Sequence, residues 1–188
     1  MNKIYLWRKE ENLKVFLHEL FHCLGFDRFL IEKECDLNKY FNIEHNLSCN
    51  EAYNELCTMI YHCCFLKIEN PKFNLIKLIE KNRLFTMFQI KQILQYHNFK
   101  ELNNNKLFRQ NTSIFSYFIL KGFYLFNFNK LIKIIKTDTF YFFPINDFEK
   151  FNNYYIDSIQ NKKMYHLIRE LINNFDFRKN YTLCMCYK

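Results

Sequence analysis

The sequence predicts a mainly α-helical fold in a single domain. Its 188 residues include only 2 glycines and 2 prolines, which are the residues that most often mark the tight turns of sheet proteins. Apolar residues recur at helical spacing along most of the chain, and 49% of all residues are hydrophobic. A chain of this length can bury a core without disulfides. We therefore expect one compact helical domain over residues 1–188, with little β structure.

The individual elements follow from periodicity and from residues that begin or end helices. Residues 1–8 can form a short strand, and a helix over 9–24 ends before Gly25, since glycine suits the left-handed conformation that follows a helix. One broad apolar face is expected on it, made of Leu13, Phe16, Leu17, Leu20 and Leu24. Ser48 is a typical N-cap residue and begins a helix that extends to residue 66. A short helix over 30–40 is predicted before this one. Residues 71–188 form a helical remainder. Its predicted elements are helices over 72–81, 84–97, 112–126, 129–136, 147–160 and 162–174, and a strand over 139–143.

Charge and cysteine content favour a reducing compartment. The formal net charge is +8, but no run of five like charges occurs, so we expect the lysines on a solvated surface. Charged residues interrupt the opening segment before a signal peptide could form, and the eight cysteines are therefore expected to be free thiols. No apolar stretch of 18 residues lacks a charge, so no membrane span or membrane partner is expected. A cytoplasmic location follows.

Residues 18–22, with the sequence HELFH, carry the clearest chemical signal. His18 and His22 are four residues apart and lie on one helix face, where two imidazoles can bind one zinc ion. Glu19 lies about 100° round the helix, close to the metal but off the ligand face. A carboxylate there can act as the general base toward a zinc-activated water. Such a site needs a third protein ligand.

The next helix offers that ligand. It begins NEAYNE over residues 50–55, so that Glu51 and Glu55 are four apart on one face. HELFH and NEAYNE, with 28 residues between His22 and Glu51, together resemble the gluzincin zinc metallopeptidases, the thermolysin-like clan. The resemblance implies that Glu51 is the third zinc ligand and that Glu55 accepts a hydrogen bond from the His18 imidazole. A carboxylate in that place fixes the tautomer of a ligand histidine.

The resemblance implies hydrolysis of peptide bonds in a peptide or protein substrate. Gluzincins stabilise the oxyanion with a downstream His or Tyr, and the candidates are Tyr117 and His62, followed by Tyr124 and His166. Only 17 residues precede His18, whereas gluzincins carry a β-rich N-terminal lobe whose edge strand pairs with the substrate. We therefore expect either a shortened chain or a groove of different construction.

Other interpretations of the same residues stay open. Ser48 and Glu51 also match a capping box, in which the Glu51 carboxylate bonds the amide of the N-cap residue. Residues 18–25 also open the metzincin signature, but Arg28 stands where that signature needs His or Asp. Asp27 is one residue early and is not expected to replace that ligand.

Two further functions are alternatives to a peptidase. Without a substrate lobe, the chain can be an inactive zinc-binding module that stabilises an assembly. It can also be a basic helical module that binds nucleic acid, with Lys130, Lys133 and Lys136 along one helix face. We expect nucleic acid to be the less favoured partner, because the lysines form no block.

The composition also hints at the source. Abundant Asn, Lys, Ile, Phe and Tyr are typical of an AT-rich genome. Together with reduced cysteines and a small atypical peptidase motif, this composition resembles uncharacterised proteins of giant viruses. A viral protein of this kind is expected in the host cytoplasm or in the virion.

Overall fold

The computed structural model describes residues 9–28, 37, 40–44, 47–99, 102, 106–110, 112–135 and 148–174. These residues form α1 (Asn12–Cys23), α2 (Cys49–Glu69), α3 (Leu75–Tyr96), α4 (Lys121–Phe126), α5 (Phe128–Ile135), α6 (Phe148–Ile159) and α7 (Lys162–Asn174). A 3₁₀ turn, Lys9–Glu11, precedes α1. A π-helical segment, Phe115–Leu120, runs directly into α4. The predicted mainly α class is confirmed.

β structure in the described part is limited to an isolated parallel bridge between Ile43 and Phe108. The strands predicted over 1–8 and 139–143 lie outside the described residues, as does most of the short helix predicted over 30–40. Among the described helices, none combines the length and apolar character that a membrane crossing requires.

Helix α2 forms the centre of the structure. Every residue from Ala52 to Ile60 is buried, so the helix is enclosed on all sides. Helices α1, α3, α4 and the π-helical segment all pack against it. A helix enclosed in this way holds its side chains in fixed positions, and those of its first two turns are presented to α1.

Helix α1 buries only part of the face that its apolar residues predict. Leu17 is buried and Leu20 is half-buried. Leu13, Phe16 and Leu24 are 42%, 40% and 60% exposed, so their predicted inward position is wrong. The buried face carries Val15, Leu17 and Phe21 together with the polar Lys14 and His18. Polar side chains can be buried here because acidic groups on α2 face them, as described below.

The two helices predicted over 72–81 and 84–97 are one continuous helix, α3. The prediction of a break near Asn82 is wrong. The buried side-chain amide nitrogen of Asn82 donates to the carbonyl oxygen of Leu78 in the same helix and to Sγ of Cys63 on α2. Because these bonds satisfy the side chain, it has no need to compete for the backbone groups of its own helix.

Helices α3 and α4 approach closely at Gly122. A Cβ atom at this position would overlap Cδ1 of Ile90, with the terminal methyls of Met87 and Met164 in contact distance. All three neighbouring side chains are buried, so the core has little room to adjust. The glycine therefore sets the distance between the two helices.

We expect Gly122→Ala to lower the free energy of unfolding by about 1–2 kcal/mol, because overpacking outweighs the gain in helix propensity. Ile90→Val removes the clashing methyl, so the same glycine substitution should cost less in an Ile90→Val background. Urea unfolding of the four proteins of this double-mutant cycle measures the difference. An equal cost in both backgrounds would show that Ile90 is not the constraint.

Candidate metal centre

His18, His22 and Glu51 converge on one point between α1 and α2. Nε2 of His18 lies 3.1 Å from Nε2 of His22 and 3.1 Å from Oε2 of Glu51. The third side of this triangle, from Nε2 of His22 to Oε2 of Glu51, is 3.4 Å. These three residues can hold a metal ion, and they form a possible metal-binding triad.

The size of the triangle fits a small divalent ion. Zinc–ligand distances of 2.0–2.1 Å in a tetrahedral site place neighbouring ligand atoms about 3.3–3.4 Å apart. The side chains of His22 and Glu51 are 25% and 21% exposed, whereas that of His18 is 6% exposed. The triad is therefore buried on one side and open to solvent on the other, where a water or a substrate group can reach it.

The other ring nitrogen of His18 faces Glu55. Nδ1 lies 3.1 Å from Oε1 of Glu55, whose side chain is 1% exposed. The proton of the imidazole is thus drawn to Nδ1, and the lone pair of Nε2 is left for the metal position. The structure places Glu55 against His18, as the resemblance implies.

The other ring nitrogen of His22 faces Asp27, which sequence reasoning did not assign to the site. Nδ1 of His22 lies 2.8 Å from Oδ2 of Asp27. This is the nitrogen directed away from the triad, so Asp27 is not a fourth ligand, in agreement with the expectation that it cannot complete a metzincin site. Each imidazole of the triad therefore has its own carboxylate.

The end of α1 brings Asp27 into this position. The amides of Gly25 and Phe26 donate to the carbonyl oxygens of His22 and Phe21, and Gly25 has φ of 71°. The rings of Phe21 and Phe26 stack at 4.8 Å. This is a Schellman motif with its hydrophobic contact, and it reverses the chain after the helix. A glycine two residues before an aspartate, just after HExxH, is the sequence signal that could have identified Asp27.

Two asparagines of α2 complete the surroundings of His22. The Asn50 amide donates to Oδ2 of Asp27 at 3.2 Å. The Asn54 amide lies 2.8 Å from Nδ1 of His22. Asn50 and Asn54 thereby hold both Asp27 and the ring of His22.

The electrostatics of the triad favour a positive charge. Burial disfavours a charged imidazole, but the carboxylates of Glu51 and Glu55 outweigh it and raise the pKa of His18. Asp27 and Glu51 likewise outweigh burial and raise the pKa of His22. Against the effect of its own burial, the two histidines hold the pKa of Glu51 at about 2. Two N–H groups cannot face each other at 3.1 Å, so the Nε2 atoms compete for one proton or share one cation.

Glu51 does not form the capping box that the sequence also allowed. The Ser48 side chain makes no capping hydrogen bond, and the Ser48 amide donates to Oγ of Ser116 at 3.1 Å. Ser116 lies on the π-helical segment, which therefore caps the start of α2. Glu51 is left to face His18 and His22.

The same π-helical segment brings Tyr117 to the triad. The rings of Tyr117 and His18 meet edge to face, with centroids 5.9 Å apart. Burial, the charges of Glu51 and Glu55 and a hydrogen bond with Glu51 raise the pKa of Tyr117, and the charge of Glu19 adds to this effect. Tyr117 therefore lies beside His18, and Glu19 is close enough for its charge to act on Tyr117.

The structure does not bring the other predicted oxyanion donors to the triad. His62 lies eleven residues after Glu51 on α2, a rise of roughly 16 Å. The charges acting on its ring are Lys14, Glu69 and Glu11. Tyr124 is fully buried and stacks on Tyr155 at 4.4 Å. His166 is exposed on α7, 3.7 Å from Glu170.

The lysine face considered for nucleic acid is only partly described. Lys136 lies outside the described residues. Lys130 pairs with Asp157 at 2.8 Å, so part of its charge is compensated.

Comparison with known proteins finds a distant viral relative. An uncharacterised protein of Acanthamoeba polyphaga mimivirus is 26% identical over an alignment that covers 95% of this chain and 49% of that protein. The chain thus spans about half the length of that relative. The match supports the viral origin that the composition predicts. No protein-family model and no solved structure matches the chain, so the gluzincin resemblance rests on its residues alone.

We expect Asp27→Ala to weaken zinc affinity by about 10- to 100-fold, because His22 loses the carboxylate that fixes its tautomer. Chelator competition measures this change. Asp157→Ala, which removes an exposed carboxylate on α6, is the matched control and should leave the affinity unchanged. Equal affinities for Asp27→Ala and wild type would contradict the placement of Asp27.

Proposed function

We propose that this chain is a zinc-dependent metallopeptidase of the gluzincin type. The observation that carries the proposal is the convergence of His18, His22 and Glu51 with Glu19 and Tyr117 beside them. Two imidazoles and one carboxylate, with an open fourth side, are a donor set of catalytic zinc sites. The pairing of Glu55 with His18 and of Asp27 with His22 supports it further, since ligand histidines in zinc sites almost always have such partners.

His18, His22 and Glu51 would hold the zinc ion. When bound, zinc supplies Lewis acidity, which polarises a carbonyl group and makes a coordinated water more acidic. Glu19 follows the first ligand directly and takes a proton from the attacking water. It then returns that proton to the leaving amine, so that the peptide bond breaks without release of a free amide anion.

Tyr117 is the oxyanion donor in this proposal. Its raised pKa keeps the phenol protonated at neutral pH, so its hydroxyl can donate a hydrogen bond. A substrate carbonyl oxygen entering the site would accept that hydrogen bond as negative charge develops on it.

An inactive zinc-binding module is the second candidate. It is favoured by the described residues, which contain the isolated bridge at Ile43 and Phe108 but no strand whose edge could pair with a peptide. On the described residues, an extended substrate would therefore lie along a helix in place of a strand. The two candidates predict the same metal content and differ in catalysis.

We expect Glu19→Gln to lower kcat against a peptide library by about 10²- to 10⁴-fold with zinc retained, because only the general base is lost. Cleavage is followed by mass spectrometry, and metal content by elemental analysis. Glu69→Gln, at the exposed end of α2, is the control and should keep full activity. A fully zinc-loaded wild type that cleaves no peptide would favour the inactive module.

We expect Tyr117→Phe to lower kcat by about 10²- to 10³-fold with little change in KM, since the hydroxyl acts in the transition state. Steady-state kinetics on a peptide cleaved by the wild type measure both constants. Tyr96→Phe, an 84% exposed tyrosine at the end of α3, is the matched control. A rise in KM at constant kcat would instead place Tyr117 in substrate binding.

A further inference from the structure

A buried lysine lies behind Glu55, on the side away from the triad. Nζ of Lys121 is 3.4 Å from Oε2 of Glu55, and both side chains are 1% exposed. The other oxygen of the same carboxylate, Oε1, lies 3.1 Å from Nδ1 of His18. Glu55 thus connects the two groups, with one oxygen toward each. Lys121 is the first residue of α4, directly after the π-helical segment that carries Tyr117.

Burial of the Lys121 ammonium group is energetically unfavourable unless a nearby group of opposite charge compensates it. Burying an ammonium group removes its hydration, and the protein recovers that free energy only through a partner of opposite charge. Nζ also lies 5.3 Å from the centre of the Phe118 ring, a cation–π contact. Lys121 could not be assigned to the metal centre from the sequence, because it belongs to neither the HELFH nor the NEAYNE motif.

A second buried lysine acts on the same carboxylate from farther away. Lys14 lies on α1 one turn before His18, is 2% exposed, and its charge also acts on Glu55. Its Nζ makes no hydrogen bond within the described part of the chain. Lys121 therefore makes the direct contact, and Lys14 adds a weaker field.

We propose that Lys121 is a positioning residue of the metal centre: its contact with Oε2 of Glu55 fixes the orientation of that carboxylate, so that Oε1 faces Nδ1 of His18 and Nε2 of His18 is directed toward the metal position. The inference rests on the metal site of the proposed function, but it concerns metal binding and does not require peptidase activity. Without Lys121, Glu55 would be a buried carboxylate with a weaker counter-charge, and it would hold the His18 ring less firmly.

Zinc affinities of Lys121→Met, Glu55→Gln and the double variant test this inference. We expect Lys121→Met to weaken zinc binding by about 10- to 100-fold in chelator competition, similar to Glu55→Gln. In the double variant the two losses should not add, because Lys121 acts only through Glu55. The Tm of the metal-free double variant should exceed that of Lys121→Met, since the buried residue 55 is then neutral and no longer a carboxylate that has lost its ammonium partner.

Lys91→Met is the matched control, because Lys91 is a buried lysine of α3 that is 1% exposed. It should lower Tm but leave zinc affinity within about threefold of wild type, which separates loss of stability from loss of positioning. The absorption spectrum of cobalt-substituted protein should change in Lys121→Met and not in Lys91→Met, because it reports the ligand geometry.

Unchanged zinc affinity in Lys121→Met would overturn the inference, as would additive losses in the double variant. If Lys121→Met does not fold, the test is the zinc affinity of Glu55→Gln compared with that of the double variant. A zinc affinity tenfold lower in the double variant than in Glu55→Gln would overturn the inference. A wild type that binds no zinc would instead refute the proposed function itself.

Discussion

The structure depends on the packing of α1 against the start of α2. That contact brings two histidines from one helix and two glutamates from the other into a common volume that is closed on the protein side. Buried charges in such a volume are tolerated only when each has a partner. The pairing of His18 with Glu55 and of His22 with Asp27 meets this requirement and at the same time directs both Nε2 atoms to the same point. The same side-chain contacts therefore contribute to both stability and metal binding.

The enclosed position of α2 explains why this geometry can be held. A helix that is buried from Ala52 to Ile60 cannot rotate without disturbing its contacts with α1, α3 and α4. The π-helical segment caps the start of this helix through Ser116 and presents Tyr117 to the site from the following residue. Lys121, four residues later, reaches Glu55 from behind. Residues 116–121 thus contact the start of α2, the His18 ring and the Glu55 carboxylate.

Much of this could be predicted from the sequence because it depends on spacing within single helices. The separation of four residues in HELFH and in NEAYNE fixes which side chains share a face, and Gly25 fixes where α1 ends. Asp27 and Lys121 could not be predicted in the same way, because their places depend on a chain reversal and on the packing of a distant helix. Part of the inward face of α1 was predicted wrongly for a related reason. Apolar periodicity favours burial of Leu13 and Phe16 together with Leu17, whereas the paired charges around His18 turn the face of Leu17 and His18 toward α2.

The central claim is that zinc binds through two imidazoles and one carboxylate between α1 and α2. X-ray absorption spectroscopy of the purified protein with one equivalent of zinc tests it most directly. The account predicts nitrogen and oxygen neighbours at about 2.0–2.1 Å, with the multiple-scattering pattern of two histidines and no sulfur. The eight cysteines of the chain offer a competing set of ligands. A sulfur shell at about 2.3 Å, or failure to bind zinc at all, would contradict the account.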